Sequence, residues 1–370
     1  MKTMSIAATA AILAALLAVT ACGARRESGT AAAETGKITA VIEKEGMEGK
    51  AQSPGVFVER TDRYAGMELT DWLDEQTVVL SKENPELQKM RLAENADSHP
   101  RSLYLYHADT GEYETLKARS NMFLCGAVLS PDKKHLLYYE YSIGDTAYYL
   151  TDVDGAQSTA AEKSLGLAMT ADWDDAGNVI GVSYAGGAYT ADTAGNITPV
   201  AGLEEEQLYA VRKAGNRLYY ITGETADPVF GLYMLDLATG EKKDLNVGNA
   251  YGVTPSPDGK LLLILQGADS AIKLLLADAD GNILNTIAEG TELTGISWSP
   301  DQRMIAYRLK AADNGASGSG LYLYDTATGE STQIAADTGG VKTSWSPSGK
   351  KLAVAETDGS GYSSSVIYLK

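Results

Sequence analysis

Apolar residues in this chain fall in short bursts. Leu261-Leu262-Leu263-Ile264, Met304-Ile305-Ala306-Tyr307 and Leu352-Ala353-Val354 each follow a turn built from Pro, Asp, Ser or Gly. Runs of this length, rich in Val, Ile, Tyr and Leu and bounded by glycine, predict strands joined in hairpins; a helix needs apolar spacings of three and four over a dozen positions. The bursts also recur. With the proline of Ser-Pro-Asp as the ruler, equivalent positions stand at Asp74, Pro131, Asp175, Lys213, Pro257, Pro300 and Pro347, separated by 57, 44, 38, 44, 43 and 47 residues. All four tryptophans, Trp72, Trp173, Trp298 and Trp345, share one phase of the repeat, and Leu129, Val211 and Pro255 fill that slot elsewhere. A shared phase at this spacing marks a stacked or radial repeat and assigns the tryptophans to packing between units, where the position calls for bulk.

A second phrase follows one loop later, as Leu103-Tyr104-Leu105-Tyr106-His107-Ala108-Asp109-Thr110-Gly111-Glu112, and again over residues 232–241 and 321–330. Each unit thus supplies four short antiparallel strands, the signature of a propeller blade. The expected fold is all-β: a seven-bladed β-propeller of four-stranded antiparallel blades over residues 54–370. The last unit ends with its third strand, Ser365 to Leu369, so an N-terminal strand is expected to complete that blade and cover its open edge. Residues 37–42 and 55–59 are the two candidates, and the second lies nearer the first blade.

The N-terminus has a different character. After Met1-Lys2, residues 5–19 are almost wholly Ala, Ile, Leu and Val, too short a run to span a bilayer comfortably and suited to an export signal over residues 1–21. Val19-Thr20-Ala21-Cys22 resembles the lipobox of bacterial lipoproteins, which implies cleavage before Cys22 and a lipid on its thiol. Residues 22–53, rich in Gly, Ala, Ser, Thr, Glu and Lys, read as a flexible tether reaching about 30 Å. The body is then expected to lie outside the cytoplasm, lipid-anchored to the cell membrane, or to an outer membrane in a Gram-negative organism.

Composition narrows the chemistry. The net charge of -18 argues against nucleic acid and against adhesion to anionic lipid, and a monomer is expected. Of two cysteines, Cys22 is assigned to lipid, which leaves Cys125 without a partner and best read as a small buried apolar residue. His107 and His135 occupy repeat positions, and His99 lies in an insertion. Asp-Val-Asp-Gly at 152–155 and Asp-Ala-Asp-Gly at 278–281 lack the later ligands of a calcium loop, so they read as hairpin turns. The turn aspartates, with Asp152, Asp192, Asp236, Asp278 and Asp325 after the third strands, are expected to cap backbone amides. There is no Gly-x-Ser-x-Gly elbow, no catalytic set, and no expected cofactor or metal.

The hairpin Trp-Ser-Pro-Asp-Gly-Lys, followed by Leu-Tyr-Leu-Tyr-Asp-x-x-Thr-Gly-Glu, resembles the repeat of TolB-type (WD40-like) propellers, found also in the propeller domains of prolyl oligopeptidase relatives. The likeness spans nearly all of residues 66–370 and implies fold rather than function. A lipobox, a short tether and a bare propeller are together similar to lipoproteins of Gram-positive bacteria.

Function is therefore expected on loops. Both stereotyped turns of each unit fall on one face of the disc, and the opposite face carries the variable loops at residues 81–102, 141–147, 223–231 and 310–320. The longest holds the candidate contact residues Glu83, Glu86, Lys89, Arg91, His99 and Arg101, and its Pro85–Leu92 stretch predicts one or two helical turns. The expected activity is binding of an envelope protein or peptide. The alternatives are a propeller enzyme of the polysaccharide lyase or lactonase type, or a small-ligand sensor, with its site at the central channel.

Overall fold

The computed structural model describes residues 56–370 except 92–96, 142–145, 154–162, 205, 225–226, 269, 313–317, 337–338 and 358–360. The signal, the tether, Cys22 and the closure candidate at residues 37–42 lie outside the described residues.

All regular structure among the described residues is strand. The chain opens with β1 (Val58–Ala65), then β2 (Met67–Trp72), β3 (Thr77–Glu83), β4 (Arg101–His107) and β5 (Glu112–Lys117). Next come β6 (Phe123–Leu129), β7 (His135–Tyr141), β8 (Ala147–Asp152), the long β9 (Lys163–Trp173), β10 (Val179–Ser183), β11 (Ala188–Ala191) and β12 (Ile197–Pro199). β13 (Leu208–Ala214), β14 (Arg217–Glu224), β15 (Asp227–Asp236) and β16 (Lys242–Gly248) form one four-stranded sheet. β17 (Ala250–Pro255), β18 (Leu261–Ala268), β19 (Ala271–Asp278) and β20 (Ile283–Gly290) form the next, and β21 (Glu292–Trp298), β22 (Met304–Lys310), β23 (Gly320–Asp325) and β24 (Glu330–Ala336) another. β25 (Gly340–Trp345), β26 (Lys351–Thr357) and β27 (Tyr362–Leu369) complete the chain.

These strands make a propeller, but not one of seven separate blades. Counted by hydrogen-bonded sheets the blades number five: four sheets of four strands and one of 11 strands, β2 to β12. Two joins fuse the large sheet. β9 pairs β8 through its first half and β10 through its second, and Arg101 of β4 bridges Phe123 of β6 in parallel. Periodicity counts sequence units, whereas continuous pairing along an 11-residue strand removes the boundary between two of them.

An N-terminal strand closes the ring. β1 lies antiparallel to β27, from Val58 opposite Leu369 to Ala65 opposite Ser363, and Phe57 and Lys370 exchange both backbone hydrogen bonds. The strand begins within the preferred segment at 55–59 and runs six residues past it. Arg60 adds a cation–π contact, 3.8 Å from the Tyr368 ring centroid.

The core is a chain of apolar layers between neighbouring sheets. Leu263, Leu274 and Leu276 meet Leu293, Trp298 and Ile305 of the following sheet, and Leu69, Trp72 and Leu80 meet Ala353 and Val366 across the closure. Directly opposed tyrosines stack at Tyr138/Tyr149, Tyr220/Tyr233 and Tyr307/Tyr322, the cross-strand pairing that stabilises a pleated face.

The tryptophans do more than fill space. Each indole N–H reaches the preceding unit: Trp72 to the Ser344 carbonyl (3.0 Å), Trp173 to Val128 (2.9 Å), Trp298 to Thr254 (3.4 Å), and Trp345 to Ser297 Oγ (3.1 Å). The expectation that only bulk matters at this position is corrected, because a phenyl ring has no such donor.

The turn face follows its residue chemistry. In the Ser-Pro-Asp-Gly turn, Ser256 Oγ accepts the Leu261 N–H and donates to Asp258, whose carboxylate also accepts the Lys260 N–H. Those donors, with the Lys260 side chain first, hold the Asp258 carboxyl down at about 2. The same network recurs at Ser130-Asp132 and Ser299-Asp301. Asp236, Asp278 and Asp325 cap their own turn amides, and the Asp278 carboxylate is occupied by Asp280, Asn282 and the Asn282 amide.

Candidate functional site

The first strand of each unit rings the axis: β2 abuts β6 and β25, β13 abuts β9 and β17, and β21 abuts β25. Their N-terminal ends all open on the face opposite the stereotyped turns. That face carries the insertion between β3 and β4, and the structure shows what holds it there.

Glu83 and Arg101 are directly paired at the ends of β3 and β4, so the insertion is a loop on a hairpin. The expected helix over 85–92 does not form between 85 and 91; residue 92 lies outside the described residues. Asn84 explains this, because its Oδ1 accepts the Glu86 N–H, its Nδ2 donates to Ser102 Oγ, and its backbone bonds Pro100. The Met90 N–H goes to the Ser98 carbonyl rather than back along a helix. Met90 itself is 3% exposed and packs with Phe123, Cys125 and Tyr139, beside Tyr141, Tyr148 and Tyr362. His99 Nδ1 lies 2.9 Å from the Leu87 carbonyl and the Arg91 N–H bonds Asn121. The described part of the loop, residues 84–91 and 97–100, is therefore a pinned platform.

The six residues expected to act together part company. Glu86, Lys89 and Arg91 are exposed on the platform. Glu83 is half-buried at the hairpin, and His99 is half-buried as a support. Arg101 is buried: Nε donates to Ser81 Oγ, Nη2 to the Ser81 carbonyl, and the guanidinium carbon sits 4.5 Å from the Tyr362 ring centroid. It organises the loop base and is withdrawn from the contact surface. Elsewhere, His107 faces Thr77 at 3.4 Å and His135 pairs with Asp152 at 2.9 Å, both on the turn face, and Cys125 is buried.

Beside the platform, two charged residues missed in the sequence meet at the axial mouth. Glu68 of β2 is 0% exposed, and its Oε1 lies 3.4 Å from Lys342 Nζ of β25, which reaches from the last sheet across the ring closure. Glu68 Oε2 is buried with no hydrogen-bond partner. The Lys342 ammonium also lies 5.9 Å from the Tyr139 ring centroid. The available signal was local and faint: Glu68 and Lys342 each follow an apolar residue, Met67 and Val341, near the start of a first strand. A second buried carboxylate, Glu140, is bound at 2.6 Å by Arg119, and burial raises its pKa against that partner's pull.

The arrangement offers ion pairing, aromatic faces and an exposed polar platform, all of which can serve recognition. No group of three or more His, Cys, Asp or Glu that could hold a metal occurs among the described residues.

No protein-family model and no curated relative matches the sequence. Solved structures do. An oligogalacturonate lyase in complex with manganese is similar at 12% identity, with 85% of this chain and 98% of that chain covered and a TM-score of 0.60. This chain is a β-propeller repeat protein. An uncharacterized protein from Listeria monocytogenes is similar at 13% identity, over 80% of this chain and 92% of that one, with a TM-score of 0.55. TolB from Acinetobacter baumannii matches at 15% identity, over 73% and 77%, with a TM-score of 0.45. At these identities the likeness is one of fold.

Proposed function

We propose that this propeller is an extracytoplasmic scaffold, anchored through a lipid on Cys22, that binds an envelope protein or peptide on the face bearing the 84–100 insertion. The observation that carries this reading is the platform. A loop with no partner has no need of a buried methionine anchor, yet Met90 fixes a surface on which Glu86, Lys89 and Arg91 stand exposed.

Because Glu83 and Arg101 are directly paired, residues 84–100 can be replaced by Asn-Gly, the natural two-residue hairpin turn. A photo-crosslinking residue at position 86 or 89 in intact cells should capture a defined partner; one at exposed position 310, at the end of β22 on the same face, should capture it with the insertion present and lose it in the Asn-Gly variant. No captured protein, or capture unchanged in that variant, would refute the reading. Cys22→Ser should release the protein from the membrane fraction, and retention there would refute the anchor.

The enzymatic alternative draws on the oligogalacturonate lyase likeness, whose identity carries no chemistry to this chain. The manganese of that relative finds no three-ligand donor set among the described residues. A thermal shift of several degrees on adding manganese, reversed by EDTA, would favour an axial metal site over the scaffold.

A further inference from the structure

We propose that the axial mouth beside the platform is a recognition site for a primary ammonium, in which Glu68 is the acceptor and Lys342 is an internal occupant that a guest displaces. This rests on the reading of the propeller as a peptide-binding scaffold and names the chemistry it would recognise.

Three observations converge. The Glu68 carboxylate is wholly buried, yet only one of its oxygens has a partner, at 3.4 Å, and Oε2 has none. A buried carboxylate oxygen without a donor costs free energy, and a group supplying several N–H donors relieves it; an ammonium has three. The present occupant is loosely held: the Lys342 side chain is 51% exposed and its contacts are one long ion pair and one ring face at 5.9 Å. The surrounding aromatics already accept cations, since Tyr139 receives Lys342 and Tyr362 receives Arg101 at 4.5 Å.

The charge of the chain favours the same class of guest. At -18 the protein attracts cations from a distance, which raises encounter rates without giving specificity. Specificity would come from Glu68 and Tyr139 at the mouth. A guest must first displace Lys342, so the apparent affinity is lowered by the fraction of molecules in which that side chain has swung out.

The test is anisotropy of a fluorescein-labelled tetralysine peptide at physiological salt, with the purified propeller and two variants. Glu68→Gln should weaken binding about tenfold, and Lys342→Met, which keeps the apolar stem, should strengthen it about tenfold. A loss confined to Glu68→Gln, with Lys342→Met unchanged, overturns the displacement. Equal binding by wild type and Glu68→Gln overturns the site and leaves the pair as an internal ion pair. Should Glu68→Gln melt at a lower temperature, the Lys342→Met arm still decides, because that residue lies at the surface. Cadaverine that displaces the peptide in a Glu68-dependent way supports the ammonium site and identifies a free amine as its ligand, and cadaverine without effect assigns the site to a peptide. Failure here leaves the scaffold reading standing, since partner capture is read at the insertion with Glu68 and Lys342 intact.

Discussion

The indole hydrogen bonds yield a prediction in which one repeat position serves as its own control. Trp72 is 2% exposed and its N–H lies 3.0 Å from the Ser344 carbonyl across the join of the last and first sheets, whereas Trp298 is 8% exposed and its N–H lies 3.4 Å from Thr254. Replacing either by phenylalanine removes a similar apolar area, three ring atoms, costing about 2 kcal/mol at roughly 0.8 per buried carbon. Only at Trp72 does the change also strip a well-formed bond from a partly buried carbonyl, which adds about 1–2 kcal/mol. Trp72→Phe should therefore cost about 3–4 kcal/mol and Trp298→Phe about 2 kcal/mol.

Urea denaturation followed by far-ultraviolet circular dichroism reads the difference as a lower midpoint at unchanged slope. The comparison also separates location from chemistry. Trp72 staples sheets that hold opposite ends of the body, so its loss weakens the closure that the Leu69–Val366 layer and the hydrogen bonds from Leu69 N–H to Ser364 Oγ and from Ser344 Oγ to Asp71 also hold. If Trp298→Phe costs as much as Trp72→Phe, the hydrogen bond contributes nothing measurable and bulk alone explains the tryptophan phase.

Three further outcomes follow from the geometry. Met90→Ala should raise tryptic cleavage at Lys89 and Arg91 by about 30-fold while the global melting temperature changes little, since about 2 kcal/mol of local anchoring is lost; unchanged cleavage would mean that Met90 does not pin the platform. Gln302 holds φ 62° where Gly259 and Gly349 stand in sister turns, so Gln302→Gly should stabilise by about 0.5–1 kcal/mol in the same urea assay, and a loss of stability would refute the strain. For pH, the turn aspartates Asp132, Asp258, Asp278 and Asp325 are lowered on folding, so their stabilisation is present above the ordinary aspartate range and lost as pH falls toward about 2, the Asp258 value. Glu140 is raised and has the opposite sign, costing stability as pH rises through its titration; melting temperatures of Asp258→Asn and Glu140→Gln from pH 2 to 8 should separate the two, Asp258→Asn flattening the acid limb and Glu140→Gln removing a loss of stability as pH rises through the ordinary glutamate range.

Much of the fold was legible because propeller strands write themselves in local chemistry. Ser-Pro-Asp-Gly specifies a turn whose hydrogen bonds close within six residues, and the structure forms those bonds as the residue types require. Sheet boundaries were not legible, because whether β9 continues from one unit to the next depends on pairing between Ala147–Leu150 and Lys163–Leu167, a non-local event that no turn motif marks. The insertion was found from its length, but its helix was misread: Asn84 and Met90 redirect the backbone through contacts with Ser102 and Phe123. Glu68 and Lys342 escaped for the same reason. They stand 274 residues apart and meet only because the ring closes.

Closure also gives the disc a polarity. β1 starts beside Lys370, where the Leu369 N–H bonds the Lys350 carbonyl at the edge of a stereotyped turn, so the chain enters the propeller on the turn face. The platform, between β3 and β4, and the Glu68–Lys342 pair, near the starts of β2 and β25, lie on the opposite face. The chain from a lipid on Cys22 would thus join the body on the side away from both. Should residues 22–53 act as the expected tether, the bias would be weak for a free molecule. It becomes strong once a partner is bound, because a partner on the platform excludes the orientation in which that face lies against the membrane. By fixing strand direction in every unit, the repeat sets the entry of the chain and the platform on opposite faces, the arrangement that the proposed anchored scaffold would need.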